Sequence, residues 1–205
     1  MFMNAVFCLY NWHILGIDNK MPWEVIPNLR NTSAVRKDLE IFKKITTNKI
    51  VVMGKNTWLS LGKPLPKRKQ HIVITSNPEE MMSKNSDFYY KNNVVFMTLE
   101  KFKELDFSSD EYWLIGGKKL YCELIPFCQQ VYINNIDLNP NIYGWDLEAN
   151  RGILITANDI FDVLNKCNFT QDNNTWNCRF NDIRKQWENI NTIFTSEVWF
   201  KDYRK

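Results

Sequence analysis

Apolar and polar positions divide this chain into short blocks. Met3-Asn4-Ala5-Val6-Phe7-Cys8-Leu9 is almost continuously apolar, the pattern of a strand covered on both faces. A turn-rich stretch, Gly16 to Trp23, follows, and residues 24–34 are polar and irregular. Over residues 35–46 the apolar positions 35, 39, 42 and 45 recur at helical spacing. Ile50-Val51-Val52-Met53 reads as a second buried strand ending at Gly54, with a short helix over 56–61. Pro64, Pro66 and Lys67 mark a loop, and residues 71–75 a third strand. After a polar stretch come a strand at 94–97, a short helix at 99–105, a strand at 112–115, a helix at 118–125 and a strand at 131–133. Strands alternating with helices predict an α/β fold around a largely parallel sheet. Beyond residue 138 the pattern weakens. Residues 139–151 and 166–182 read as loops or insertions, 182–190 as helical, and 193–201 as a closing strand.

Length and charge narrow the classes. The chain has 205 residues, a net charge of +3 and 44% hydrophobic residues, which fits one domain over 1–205 with insertions. The basic residues are scattered, so no nucleic-acid partner is expected, although mild positive potential suits anionic small molecules. The apolar start is too short for a signal peptide, and no apolar run is long enough to span a membrane. The five cysteines include no CxxC spacing and fit free thiols in a reducing, cytoplasmic setting. The two histidines, His13 and His71, are far apart, so no metal site is expected. A monomer without membrane partners is the expectation.

Three strand ends carry glycine or small polar residues: Met53-Gly54, Thr75-Ser76 and Ile115-Gly116-Gly117. Ligands of open parallel sheets bind beyond the carboxyl ends of strands. Glycine lets backbone approach a ligand there, and a following helix offers N–H groups to phosphate. Two strand–glycine–helix joints suggest a dinucleotide, though the usual GxGxxG pattern is missing. Asp38 sits beside the apolar stripe of residues 35–46, either as a solvated flank or as a carboxylate in an apolar pocket.

Five segments, in order, resemble the dihydrofolate reductase family. They are Gly16-Ile17-Asp18-Asn19-Lys20-Met21-Pro22-Trp23, Asp38 to Thr46, Val52-Met53-Gly54-Lys55-Asn56-Thr57-Trp58 through Arg68, Ile74-Thr75-Ser76, and Ile115-Gly116-Gly117-Lys118-Lys119-Leu120-Tyr121. The resemblance covers roughly residues 3–137. It implies an eight-stranded, mostly parallel sheet with one antiparallel C-terminal strand, flanked by four helices. It further implies NADPH as cofactor and dihydrofolate as substrate. On that basis Asp38 binds the pterin and promotes protonation at N5, Trp23 orders a water, and Met21 closes a lid. Phe42, Leu61 and Leu65 hold the rings and Arg68 the glutamate carboxylate, while Val6, Ile115 and Asn134 also touch substrate. Lys55, Asn56 and Thr57 hold cofactor phosphates, and Thr75 and Ser76 lie near the 2′-phosphate. Gly16, Gly116, Gly117, Lys118, Lys119, Leu120 and Tyr121 complete the cofactor set.

The chain departs from the family pattern in five places. The stretch between Trp23 and Asp38 is longer than in the shorter members. Asn134 replaces the threonine that usually supports the carboxylate. Phe7 and Cys8 stand where small or aliphatic residues are usual, and Phe7 either crowds the site or faces away. The Gly-Asp-x-x-Phe-Pro segment that positions the active-site loop is not visible in 138–192. Asn77 stands where an arginine sometimes meets the 2′-phosphate. These departures leave open a non-catalytic binding or structural relative. A riboflavin-pathway pyrimidine reductase on the same fold is opposed by Met21-Pro22-Trp23 and Asp38.

Overall fold

The computed structural model describes residues 3–26, 29–138, 154–172, 175–184 and 188–203. Its strands join one sheet: β1 (Met3–Tyr10), β2 (Ile14–Ile17), β3 (Ile50–Gly54), β4 (Gln70–Ile74), β5 (Val94–Met97), β6 (Tyr112–Leu114), β7 (Gln130–Leu138), β8 (Leu154–Thr156), β9 (Phe169–Gln171), β10 (Trp176–Arg184) and β11 (Glu188–Lys201). The helices among the described residues are α1 (Pro22–Val25), α2 (Ser33–Thr46), α3 (Lys55–Leu61), α4 (Pro78–Ser83), α5 (Ser86–Lys91), α6 (Leu99–Lys103), α7 (Lys118–Leu124) and α8 (Asn158–Lys166).

The main path runs β10-β11-β7-β1-β6-β3-β4-β5, with β2, β8 and β9 attached beside it. The six strands from β7 to β5 are mutually parallel, and β11 is antiparallel to both its neighbours. This is the expected eight-strand, mostly parallel sheet with one antiparallel C-terminal strand. β1 is buried along its whole length between β6 and β7, which is why its sequence is apolar without alternation. Its side chains still divide by face. Ala5, Phe7 and Leu9 pack with Tyr121 and Leu124 of α7 and with Ile160 and Leu164 of α8. Cys8 and Tyr10 pack with Val35 of α2, and Val6 with Trp58 of α3.

Helix α2 begins two residues before the periodicity does, because the Thr32 hydroxyl accepts the Val35 N–H at 3.3 Å and caps it. It lies against β7, β10 and β11. The polar stretch after β4 holds α4 and α5, both started by asparagine positions rather than by apolar periodicity.

The larger corrections fall after residue 153. Of the helix expected at 182–190, residues 182–184 are the end of β10 and 188–190 the start of β11, strands that pair antiparallel from Trp176↔Ser196 to Arg184↔Glu188. The loop expected at 166–182 carries β9 and most of β10. Residues 139–151 lie outside the described residues. β2 and β8 carried no expectation, and they pair with each other (Ile14↔Thr156, Gly16↔Ile155, Ile17↔Leu154).

Candidate active site

Asp38 projects from the buried side of α2 and is 5% exposed. Of the two readings of this residue, the structure gives the carboxylate in an apolar setting. Its Oδ1 accepts a hydrogen bond from Asn134 Nδ2 at 2.7 Å, and Asn134 Oδ1 in turn accepts from Ser196 Oγ at 2.8 Å. Burial pushes the Asp38 pKa up from 3.8 to about 6, and hydrogen bonds from Asn134 and Cys8 hold it from rising further. The Cys8 thiol, itself pushed well up by burial and by Asp38, lies beside the carboxylate and reaches the Leu9 carbonyl at 3.7 Å. Phe7 faces the other way, 5.1 Å from the Tyr121 ring, and so does not crowd Asp38.

The apolar stripe read from the sequence differs in one position. Val35 is buried, but Leu39 is 49% exposed. Leu39 follows Asp38 directly and stands one turn before Phe42, so α2 leaves one apolar side chain of the stripe open to solvent. Phe42, Leu61 and Ile115 are half-buried and pack against a cluster containing Val6 and Trp58. Leu65 is half-buried as well, its N–H held by His71 Nε2 at 3.0 Å. Trp58 is core: it is edge-on to His71, Tyr89 and Phe96.

Arg68 crosses back to α2. Its Nη2 donates to Thr46 Oγ1 at 2.7 Å, its Nη1 to the Pro66 carbonyl at 2.6 Å, and its guanidinium carbon lies 5.5 Å from the Phe42 ring centre. Nε is buried with no partner among the described residues, and burial lowers the Arg68 pKa. A guanidinium held on two sides with a donor unused is suited to an anionic oxygen.

Adjacent strand ends build the second half of the site. The Gly54 N–H donates to the Gly116 carbonyl at 2.8 Å, joining the ends of β3 and β6. The Gly116–Gly117 peptide is cis, and Gly116 has φ +139°. A Cβ on Gly116 would stand 2.9 Å from Thr57 Oγ1, and one on Gly117 3.3 Å from it. Side chains are therefore excluded where Lys55, Asn56 and Thr57 begin α3. Thr75 is buried and Ser76 exposed just past β4. A cavity of about 450 Å³ there is lined by Ser76, Asn77, Glu79, Glu80, Thr98 and Lys101.

Several expected cofactor residues are engaged elsewhere. Leu120 is 7% exposed and turned into the core, so its backbone N–H is what it offers a ligand. The Tyr121 hydroxyl donates to the Val6 carbonyl at 2.8 Å, tying α7 to β1. Lys118 pairs with Asp159 of α8 at 2.8 Å, and Lys119 is exposed. Gly16 lies in β2 against Ile155 of β8; a Cβ there would stand 3.0 Å from the Lys20 carbonyl. Trp23 packs with Cys8, Tyr10 and Ile14, and the Met21 N–H donates to Glu24 Oε2 at 2.9 Å. Thus β8 holds the stem of the Gly16–Trp23 segment by main-chain pairing, reinforced by the Ala157 N–H to the His13 carbonyl at 2.9 Å.

Cys8, Leu39 and Ser196 were not among the expected site residues. For Cys8 the available signal was alternation along β1, which puts it on the same face as Val6. Glu40, read as solvated, is exposed and paired with Lys37 at 3.1 Å.

The comparisons agree with this geometry. The dihydrofolate reductase family profile matches residues 3–185. A dihydrofolate reductase of Bacillus subtilis is 33% identical over 134 residues, covering 65% of this chain and 68% of that protein. Dihydrofolate reductase type 3 of Salmonella typhimurium is 30% identical over 141 residues, covering 69% and 75%. The solved dihydrofolate reductase of Enterococcus faecalis, complexed with NADP(H) and RAB-propyl, superposes with a TM-score of 0.62 over 98% of this chain and 96% of that one. Its identity is 20%, so it speaks to the fold. A buried carboxylate on α2, a glycine cradle where β3 meets β6, and a profile match over most of the chain agree: the protein belongs to the dihydrofolate reductase family.

Proposed function

We infer that this chain reduces 7,8-dihydrofolate to 5,6,7,8-tetrahydrofolate with NADPH. The observation that carries this is Asp38, a carboxyl buried on α2, held by the Asn134 amide and with its pKa raised by burial to about 6. The family's NADPH, when bound, supplies the hydride received at C6 of the pterin. The backbone at Gly116 and Gly117 fits such a group, because packing against Thr57 keeps both positions free of side chains and lets the main chain come close to it.

Asp38 would hold the amino group and ring nitrogen of the pterin and carry the proton destined for N5, directly or through a water. A carboxyl titrating near 6 keeps a useful fraction protonated near neutrality. Phe42, Leu61 and Leu65 would exclude water around the rings, with Val6 and Ile115 beneath them. Arg68, held by Thr46 and Pro66, would meet the glutamate carboxylate with its guanidinium. Lys55, Asn56, Thr57 and the start of α7 would face the cofactor phosphates. Thr75 and Ser76 would face the 2′-phosphate, with Lys101 on the same cavity as the cation that Asn77 does not supply. Met21 and Trp23, on a stem fixed by β8, would cover the site. The non-catalytic reading is not favoured, since Asn134 supports Asp38 as a donor.

No helix among the described residues is long and apolar enough to cross a membrane. A monomer in a reducing cytoplasm suits five free thiols. The test is NADPH consumption with dihydrofolate, followed by absorbance, with Asp38→Asn in parallel. Turnover that collapses in the folded variant supports the reading; equal turnover removes Asp38 from the mechanism.

A further inference from the structure

The support of Asp38 has a chemistry of its own. Asn134 is fully buried, at 0% exposure. A buried amide has two ends that cannot exchange roles: the NH2 only donates and the carbonyl only accepts. A carboxylate needs the donor end. The carbonyl end must then find a donor elsewhere, or it becomes a buried acceptor without a partner. Ser196 meets that need. It is directly opposite Asn134 in the β7–β11 pairing, and its hydroxyl donates to the carbonyl at 2.8 Å. A donor on the carbonyl also polarises the amide, strengthening the NH2 end as a donor to Asp38.

We propose that Ser196 is a positioning residue: its hydroxyl holds the Asn134 amide with the donor end on Asp38, and so sets the pH range over which the carboxyl carries its proton. The proposal rests on Asp38 being the proton-carrying group of the reaction proposed above. The other groups around the carboxyl are accounted for. Cys8 from β1 lies beside it, and Tyr121 of α7, on the other face of the sheet with its hydroxyl on the Val6 carbonyl, feels only its charge; burial raises both so that they stay neutral. β7 and β11 present the neutral Asn134 and Ser196. Lys37, next in the chain, is turned away over the Trp176 ring of β10.

The chain of bonds makes a directional claim. Without the Ser196 hydroxyl only the ionised carboxylate holds the NH2 end in place, and it does so against an unpartnered carbonyl at the other end of the amide. Turned over, it presents a carbonyl, which favours the protonated acid. The midpoint of Asp38 must therefore rise. A threonine at 196 keeps a hydroxyl and keeps the orientation. A threonine at 134 has a hydroxyl that donates and accepts at one atom, so it needs no second residue to orient it.

The experiment uses the full chain with Ser196→Ala, Ser196→Thr, and Ser196→Ala in an Asn134→Thr background. The Asp38 carboxyl is titrated by carbon NMR in the ligand-free protein, its resonance assigned by its loss in Asp38→Asn. In parallel, turnover is followed against pH. Ser196→Ala is expected to raise the carboxyl midpoint, and the pH at which turnover has halved, by about one unit. Ser196→Thr should titrate as the native protein does. In the Asn134→Thr background, Ser196→Ala should move nothing further. An unchanged midpoint in folded Ser196→Ala overturns the proposal, as does Ser196→Thr shifting as far as Ser196→Ala. Absence of turnover in the native protein would count against the reductase reading alone, because the carboxyl titration decides the part played by Ser196 without it.

Discussion

At the residue scale Asp38 trades stability for chemistry. Its folded pKa, about 6, lies above its ordinary value of 3.8 because burial disfavours the charge. Below the lower value both states hold the proton, and Asp38 is neutral towards folding. Between the two values the unfolded chain ionises first, so stability falls as pH rises. Above pH 6 the full cost is present, on the order of 3 kcal/mol. Asp38→Asn should therefore melt higher than the native protein at pH 8 and converge with it near pH 4, even as turnover collapses. Melting curves across pH check this, and a gap of equal size at pH 4 would rule out the titration as its source. Arg68 makes a second case. Arg68→Leu should weaken dihydrofolate binding by about 2–4 kcal/mol, as when one partner of a charge pair is lost. An analogue lacking the glutamate tail should bind both proteins alike. Loss of affinity for the short analogue as well would mean that Arg68 acts through the Phe42 ring rather than on the tail. Asp38 and Arg68 are candidates in the sequence because each stands in a local motif, and Asn134 because it replaces a threonine that the resemblance leads one to expect. Ser196 was not legible, because its role depends on pairing with a residue 62 positions earlier. Leu39 was misjudged because helical spacing alone does not say which residues of an apolar stripe are covered.

At the element scale the early strands and helices were legible because local apolar blocks and glycine breaks coincide with their ends. The C-terminal third was not. Trp176-Asn177-Cys178-Arg179-Phe180-Asn181-Asp182 mixes polar residues that disfavour strands, yet it pairs with β11 over nine positions (Trp176 to Arg184). Sheet context overrode local preference there. The missing Gly-Asp-x-x-Phe-Pro segment has a counterpart of different chemistry, since β8 reaches Gly16 and Ile17 through main-chain pairing. Ala157→Pro removes the amide that meets the His13 carbonyl and should destabilise the stem by about 1 kcal/mol. Amide exchange over residues 14–20 should quicken and turnover should fall, while the core strands stay protected. Unchanged exchange there would mean that β8 does not hold the loop.

At the scale of the whole molecule, one sheet sorts the thiols. Cys8 and Cys128 are buried with pKa values pushed up by burial, whereas Cys122, Cys167 and Cys178 are partly exposed. A brief pulse of thiol reagent, read by mass spectrometry, should label the last three and reach Cys8 and Cys128 after denaturation. Rapid labelling of either buried thiol in the folded protein would contradict the packing around β1. Strand order has a consequence for biosynthesis as well. β1 pairs with β6 and β7 in the middle of the path, yet it is made about a hundred residues before either of them. On the ribosome this most apolar segment emerges without either neighbour and waits until residues 112–138 have left the exit tunnel. Until then the nascent chain carries an unpaired hydrophobic strand, and that interval is when a chaperone has something to hold.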